Sequence, residues 1–412
     1  MKTTLLLERF SKGKLLERRE LQSRSWVQGI FELLYLTHAQ IMLAAPRSIT
    51  DIIGAARNVD SQSAIVPSLP HREKATLFLA APSGGAAIFL PTGSYSTAAP
   101  EEAMTFRPPH FLRGEHIGIQ VGTDDTVVAP NDTRLGQKIF HGVSGTIAGP
   151  QVFDGYTLGD TLDEVIYGTR EFGTIFTSTR GYRMASAKLL IYRLGNPGNL
   201  VMNLRAVDSV TSTTYFVPGA TILGSGTTDG DTLPTASPYE WREITLAVPV
   251  DIHPGIIYFL GLTAPTGIAT DSVKWRRATL GVGDYHPRYG QVYTTDGLSW
   301  NSTFYYIPMF DILGSAAAEL EYGGCDIFGL TIADPDGEFS IRRLFTNNSG
   351  EAITVKESGI HAAVTRYWGG GNHYYFQGQA YAICVARDVL GAPVVVADTE
   401  VLQVTYTPQI TV

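Results

Sequence analysis

The chain carries 9 histidines, 2 cysteines and 39 acidic side chains, and hydrolytic, redox or metal chemistry would have to be built from these. Their spacing assembles none of the familiar devices. No HExxH helix offers two imidazoles and a general base to zinc, and no GxSxG turn raises a serine nucleophile. No Walker loop, and no GxGxxG after a strand, presents backbone N–H groups to a phosphate. Cys325 and Cys384 are too few for a disulfide scaffold or a zinc cage. The histidines are scattered, and none stands at i+2 or i+4 from another ligand type in a helical stretch. No catalytic residue, metal site or cofactor is expected.

Carboxylate clusters are the next candidates. Asp334-Pro335-Asp336-Gly337-Glu338 has the acid density of a calcium loop but lacks the twelve-residue pattern and its closing bidentate Glu. It reads first as a turn, as does Asp229-Gly230-Asp231. Asp154, Asp160, Asp163 and Glu164 could supply the two carboxylates of a glycosidase, but no motif fixes their geometry.

The aromatic residues are more informative. Trp275, Tyr285, His286, Tyr289, Tyr293 and Trp300 fall in one stretch, beside Arg276, Arg277, Asp284, Arg288 and Asp296. Flat rings stack on the C–H faces of sugars, while Asp and Arg take the hydroxyls. Trp275, Tyr285, His286, Tyr289, Asp296 and Trp300 are therefore the candidate glycan-binding residues. Trp275 and Trp300 would sooner fill a sandwich core, whereas the Gly-Asp and His-Pro context of Tyr285, His286 and Tyr289 suggests a loop. A second aromatic loop, Arg366 to Gly378, holds Arg366, Tyr367, Trp368, His373, Tyr374 and Tyr375 as candidate interaction residues.

Strands and turns must position these groups. With 43 Gly, 22 Pro and only 17% charged residues, the composition suits β-structure with many tight turns. The stretch 172–313 is a succession of strand patterns, KLLIYRL, LVMNLRAV, REITLAVPV and IIYFLGLTA among them, separated by GNPGN, GSGTTDGD and HPG. The tail from 320 onward continues the pattern. Residues 3–20 alternate about Lys12-Gly13-Lys14 and predict a hairpin. After it, Trp26, Ile30, Leu33, Leu34 and Ile41 recur at helical spacing, and Phe31 and Tyr35 make that helix apolar almost all round. Such a helix must be buried, so Trp26, Ile30, Phe31 and Leu34 are candidate assembly residues. Residues 46–115 are Pro-punctuated and predict an extended arm.

The net charge of -8 argues against a nucleic-acid partner, which needs a basic face. The apolar run Leu5–Leu7 is broken by Glu8 and Arg9, short of the about 7–15 residues of a secretory leader. No stretch reads as a membrane span of about 20 apolar residues. Synthesis and assembly in the cytoplasm are expected.

Two resemblances add to this. AKLLIYRLGNPGNLVMNLRAV, then WREITLAVPVDIHPGIIYFLGL, Trp275 and GQVYTTDGLSWN resemble the jelly-roll modules of phage and bacterial surface proteins. That resemblance implies a carbohydrate-binding-like module. Thr295 to Trp300 is similar to the structural Asp-box hairpin of sialidases, with one spacer residue missing. HIGIQVGTDDTVVAPNDTRLGQKI, followed far along by SIRRLFTNNSGEAITVKESGI and AICVARDVLGAPVVVADTEVLQVTYTPQITV, resembles the two halves of a β-domain in structural proteins of tailed bacteriophages. No functional residue transfers from either resemblance.

The expectation is a mainly β chain with two β-sandwich domains. An N-terminal hairpin and helix (1–45) and an arm (46–115) precede a discontinuous virion-anchoring domain (116–149 with 315–412), into which a jelly roll (150–314) is inserted. The expected function is that of a non-enzymatic phage virion component in the tail, neck or capsid exterior. Its partners would be copies of itself and other virion proteins, with host-surface glycan as the ligand of the jelly roll. A glycan-cleaving depolymerase and a bacterial adhesin are the alternatives.

Overall fold

The computed structural model describes residues 2–23, 27, 47–59, 63–66, 116–212, 215–235, 238–280, 288–303, 305–333, 336–367 and 378–411. Contacts divide them into two compact units. One contains the residues up to Thr146 and those from Ala317 onward; the other is Ile147–Ala316. The expected apolar helix, with Trp26, Ile30, Phe31 and Leu34, lies outside the described residues. So does most of the expected arm.

The first unit opens with β1 (Lys2–Ser11) and β2 (Lys14–Ser23), paired antiparallel with Ser11 opposite Lys14. Lys12 and Gly13 both take positive φ, 48° and 75°, as a two-residue hairpin turn requires. Alternation in β1 buries Thr3, Leu5 and Leu7. Within the stretch read as an arm, β3 (Arg47–Thr50) and β4 (Ala56–Val59) form a small ladder, and β5 (Ser63–Val66) joins a larger sheet. Buried Asp51 organises the β3–β4 turn by accepting the N–H groups of Ile53 (3.0 Å) and Ala55 (2.9 Å) and pairing with buried Arg57 (2.7 Å). Strand β6 (Gly118–Gly122) is buried throughout.

The second unit runs through β7 (Ile147–Tyr156), β8 (Asp160–Ile166), β9 (Glu171–Thr177), β10 (Tyr182–Leu194), β11 (Asn199–Ser212) and β12 (Tyr215–Asp229). It continues through β13 (Glu240–Ile252), β14 (Ile257–Thr263), β15 (Ser272–Thr279), β16 (Tyr289–Thr294), β17 (Trp300–Thr303), β18 (Tyr306–Pro308) and β19 (Phe310–Ala316). One sheet has the order β18-β15-β10-β19-β7, with β13 also on β10 and β8 also on β15; the other is β12-β11-β14-β9-β16-β17. All their pairings are antiparallel. Aromatic rings join the two inner faces. Phe172 meets Trp275 edge-on at 5.5 Å, and Phe176 meets Phe310 at 6.4 Å. This is a two-sheet sandwich, in which side chains alternate between core and surface along each strand.

The chain then returns to the first unit as β20 (Glu321–Ala333), β21 (Asp336–Thr346), β22 (Ile353–Tyr367), β23 (Gly378–Val396) and β24 (Glu400–Thr411). A five-stranded sheet has the order β2-β1-β24-β21-β20. In a second sheet β22 lies between β23 on one side and β5 and β6 on the other. Leu5, Leu7, Ile341, Phe345 and Val404 from the first sheet share one core with Ile119, Val121, Val355, Ile360 and Val385 from the second. Both units are therefore antiparallel β, and the chain is mainly β.

A buried ion cluster fixes the loop after β6. Arg387 donates to Glu357 (2.8 Å), Asp132 (2.7 Å) and Asp124 (2.8 Å). Glu357 in turn accepts the N–H groups of Gly136 (3.0 Å) and Gln137 (2.9 Å). Gly122 is required beside it, because a Cβ there would collide with the Glu357 carboxylate.

Thr399, between β23 and β24, has φ 68°, a left-handed conformation unfavourable for a β-branched side chain. Asn tolerates this region. Thr399→Asn is expected to stabilise the first unit by about 1 kcal/mol, read as a higher midpoint in thermal unfolding. An unchanged or lower midpoint would mean that the threonine is not strained.

Candidate functional site

The expected glycan residues do not converge on one surface. Trp275 is a core residue. It is fully buried, its indole N–H donates to the Met309 carbonyl at 2.8 Å, and it presents no ring face to a ligand. Tyr289 is also interior. Its ring packs edge-on against Phe310 at 5.3 Å, and its hydroxyl lies 3.3 Å from Asp154. These two assignments are corrected for one reason: alternation in β15 and β16 turns both rings towards the facing sheet. Trp300 is half-buried on the opposite face of the six-stranded sheet, against Phe259 at 5.4 Å. Asp296 is exposed but committed to its own turn. It accepts the N–H groups of Leu298 (2.9 Å) and Ser299 (2.7 Å) and the Thr294 hydroxyl (2.9 Å). Those hydrogen bonds hold its carboxyl far below the usual range. Tyr285 and His286 lie outside the described residues.

In the second aromatic loop, Arg366 and Tyr367 end β22, opposite Gln379 and Gly378. Trp368, His373, Tyr374 and Tyr375 lie outside the described residues.

Three of the four candidate glycosidase carboxylates, Asp154, Asp163 and Glu164, are held by cations. Buried Asp154 pairs with Arg288 and accepts the Tyr182 hydroxyl at 2.9 Å. Asp163 pairs with Arg276, and Glu164 with Arg277 at 2.7 Å. Asp229 accepts the Asp231 N–H at 2.9 Å, and Asp231 accepts the Gly198 N–H at 2.8 Å. Both are turn-forming contacts. Among the described residues no group of three or more His, Cys, Asp or Glu side chains is placed to hold a metal ion. Among them, too, no helix is long and apolar enough to cross a membrane.

What the fold does bring together is a patch on the outer face of the seven-stranded sheet. Tyr192 stands opposite Lys274, and Asp163 opposite Arg276, so the four share that face. The Tyr192 hydroxyl donates to Asp163 at 2.6 Å, and burial together with that carboxylate pushes its phenol up. Tyr192 and Tyr239 lie 5.0 Å apart between ring centres, and the Arg276 guanidinium sits 4.3 Å over Tyr239. Trp241, opposite Leu190, lies on the same face and is 37% exposed. Three aromatic rings, an aspartate and two cations thus share one partly exposed surface. The signal in the sequence was parity: Trp241 alternates against the buried Ile244 and Leu246, and Tyr192 against the buried Ile191.

The first unit offers a different feature. Among the described residues β20 is an outermost strand, and in its second half Ile327 to Ala333 (IFGLTIA) contains no charged residue. Phe328 is exposed, Leu330 is 73% exposed and Ile332 is 82% exposed. Gly329, at φ 69°, bulges the strand between Phe328 and Thr331. Edge strands in monomeric proteins are commonly blunted by charges, proline or bulges, and this stretch has the bulge but neither charge nor proline.

No family model matches the chain, and no curated protein matches it.

Proposed function

We propose that the chain is a non-enzymatic structural component of a tailed-phage virion, in the tail, neck or capsid exterior. Its first unit builds into the particle. Its second unit, a jelly roll, offers the patch of Tyr192, Tyr239 and Trp241 to host-surface glycan. The observation that carries the reading is the uncharged, exposed edge from Ile327 to Ala333. A strand edge with protruding Leu and Ile, paired with no described strand on its outer side, is an aggregation hazard for an isolated protein and becomes an asset once a partner covers it. The resemblance of 116–139, 340–360 and 382–412 to a phage virion β-domain supplies the kind of particle. The ion-paired state of Asp154, Asp163 and Glu164 favours binding over glycan cleavage.

The reading is tested by co-expressing the full chain with the structural proteins of the particle and assaying particles for it. It should be present at fixed stoichiometry; a strictly monomeric chain that never enters particles would sink the reading. The glycan component is tested on a glycan array. Trp241→Ala should lose retention on any glycan the wild type binds, by roughly 5- to 30-fold, for loss of one stacked ring worth about 1–2 kcal/mol. Its thermal midpoint should not change. Equal retention by Trp241→Ala would place the ligand elsewhere.

A further inference from the structure

An imidazole lies in the core of the first unit with both of its nitrogens unpaired. His361, in β22, is 1% exposed, and neither ring nitrogen has a hydrogen-bond partner among the described residues. In the register between β22 and β6 it stands opposite Gly118, and Gln120, opposite Gly359, shares its face. Gln120 is fully buried too, with no such partner for either side-chain atom. A neutral ring tolerates this place far better than a charged one, because a buried charge needs a counter-charge.

The groups around the ring oppose a positive charge. Segment 123–141 contributes Lys138 and β21 contributes Arg343, and both cations act on the ring. From β6 come Gly118 and Gln120, neither of them titratable. From β20, Cys325 lies against Gly118, where a Cβ would be 2.9 Å from its sulfur; from β23, Cys384 stands opposite His361. Burial pushes both thiols up, so both are neutral. On β22 itself Glu357 is committed to Arg387 and to the N–H groups of Gly136 and Gln137. Burial first, and then Lys138 and Arg343, hold the His361 imidazole well below its ordinary value of 6.5.

The strand beside this ring is short. β6 has five residues, and among the described strands it pairs with β22 alone. Segment 123–141 leans on it, since the Ile139 N–H donates to the Val121 carbonyl at 3.0 Å. Arg343 ties it to β21 through the Ile119 carbonyl at 2.8 Å.

We propose that His361 is an acid-operated latch, whose protonation releases β6, with segment 123–141, from β22 and opens the core beneath. The opened chain takes up a proton near pH 6.5 and the closed chain does not, so falling pH favours opening. The open fraction should rise by up to about tenfold per pH unit below about 6.5. Most of that window lies above the usual carboxylate range. The inference concerns the first unit alone and stands apart from the particle reading.

Buried Cys325 is a built-in probe of the opening. The full chain is treated with dipyridyl disulfide from about pH 7.5 to about pH 5. The Cys325 adduct is followed by peptide mass, and its rate is divided by that of the chemically unfolded chain at the same pH. Wild type should label at least about tenfold faster at the acid end. His361→Leu and His361→Gln cannot take the proton and should label at one rate throughout. A wild-type rate independent of pH would overturn the proposal. So would an acid response kept by both variants, which would assign the sensor to another group, such as His141, whose Nδ1 accepts the Tyr322 N–H at 2.9 Å. If both variants label fast even at neutral pH, histidine-ring NMR of wild type decides. An imidazole that stays neutral in the closed chain at about pH 6 supports the latch, and titration of every ring near its ordinary value overturns it.

Discussion

Arg387→Met should destabilise the first unit by about 3–5 kcal/mol. Arg387 is buried, and its guanidinium is the shared partner of Glu357, Asp132 and Asp124. Glu357 is buried too and cannot regain solvent when the cation is lost. The cost comes chiefly from the stranded Glu357 carboxylate, since Asp124 and Asp132 are partly exposed, and only in part from the attraction that is removed. Glu357 also holds the backbone at Gly136 and Gln137, so the loop after β6 should loosen together with the cluster. Chemical denaturation followed by a probe confined to the first unit measures the effect. Adding Glu357→Gln to Arg387→Met should recover part of the loss, because a buried charge disappears. A loss below about 1 kcal/mol would show that water reaches the cluster, as at exposed ion pairs.

Trp275→Ala should cost the second unit a comparable amount, about 3–5 kcal/mol. The indole lies fully buried between the sheets, edge-on to Phe172, and its N–H is satisfied by Met309. The substitution leaves a large cavity and an unsatisfied carbonyl. Trp275→Phe retains most of the volume and should cost clearly less. A ring used for binding would give the reverse pattern, with little loss of stability and a large loss of retention, which is the pattern expected of Trp241. The two tryptophans lie in adjoining strand regions of one sheet but on opposite faces, so the pair of alanine variants tests the face assignment directly.

Alternation made the strands legible. KLLIYRL, LVMNLRAV, REITLAVPV and IIYFLGLTA lie within or across β10, β11, β13 and β14, because β-branched and aromatic residues at period two suit a half-buried sheet. The hairpin at Lys12-Gly13 was legible for a similar reason, since a glycine between two alternating runs permits a turn of positive φ. The binding surface was less legible. Clustering along the sequence grouped Trp275 with Tyr289 and Trp300, yet alternation sends these rings to different faces. The patch that does form draws Tyr192, Tyr239 and Trp241 from β10 and from residues around the start of β13, so it depends on pairing across distant strands. The charge cluster around Arg387 was hidden for the same reason, because its acids are contributed by residues 124, 132 and 357. The free edge was latent in IFGLTIA, an uncharged run that could equally have been a core strand; only the sheet order shows that it lies at a margin.

Amide hydrogen exchange at residues 326–333 tests most directly whether this edge is an assembly surface. In the isolated chain, held monomeric by dilution, the outward-facing amides of that stretch should exchange rapidly. In particles containing the chain, the same amides should become protected by at least about tenfold, as amides paired into a continued sheet exchange only through local opening. Protection confined to residues 326–333 would support an assembly surface at this edge. Equally rapid exchange of residues 326–333 in the free and assembled chain would contradict it.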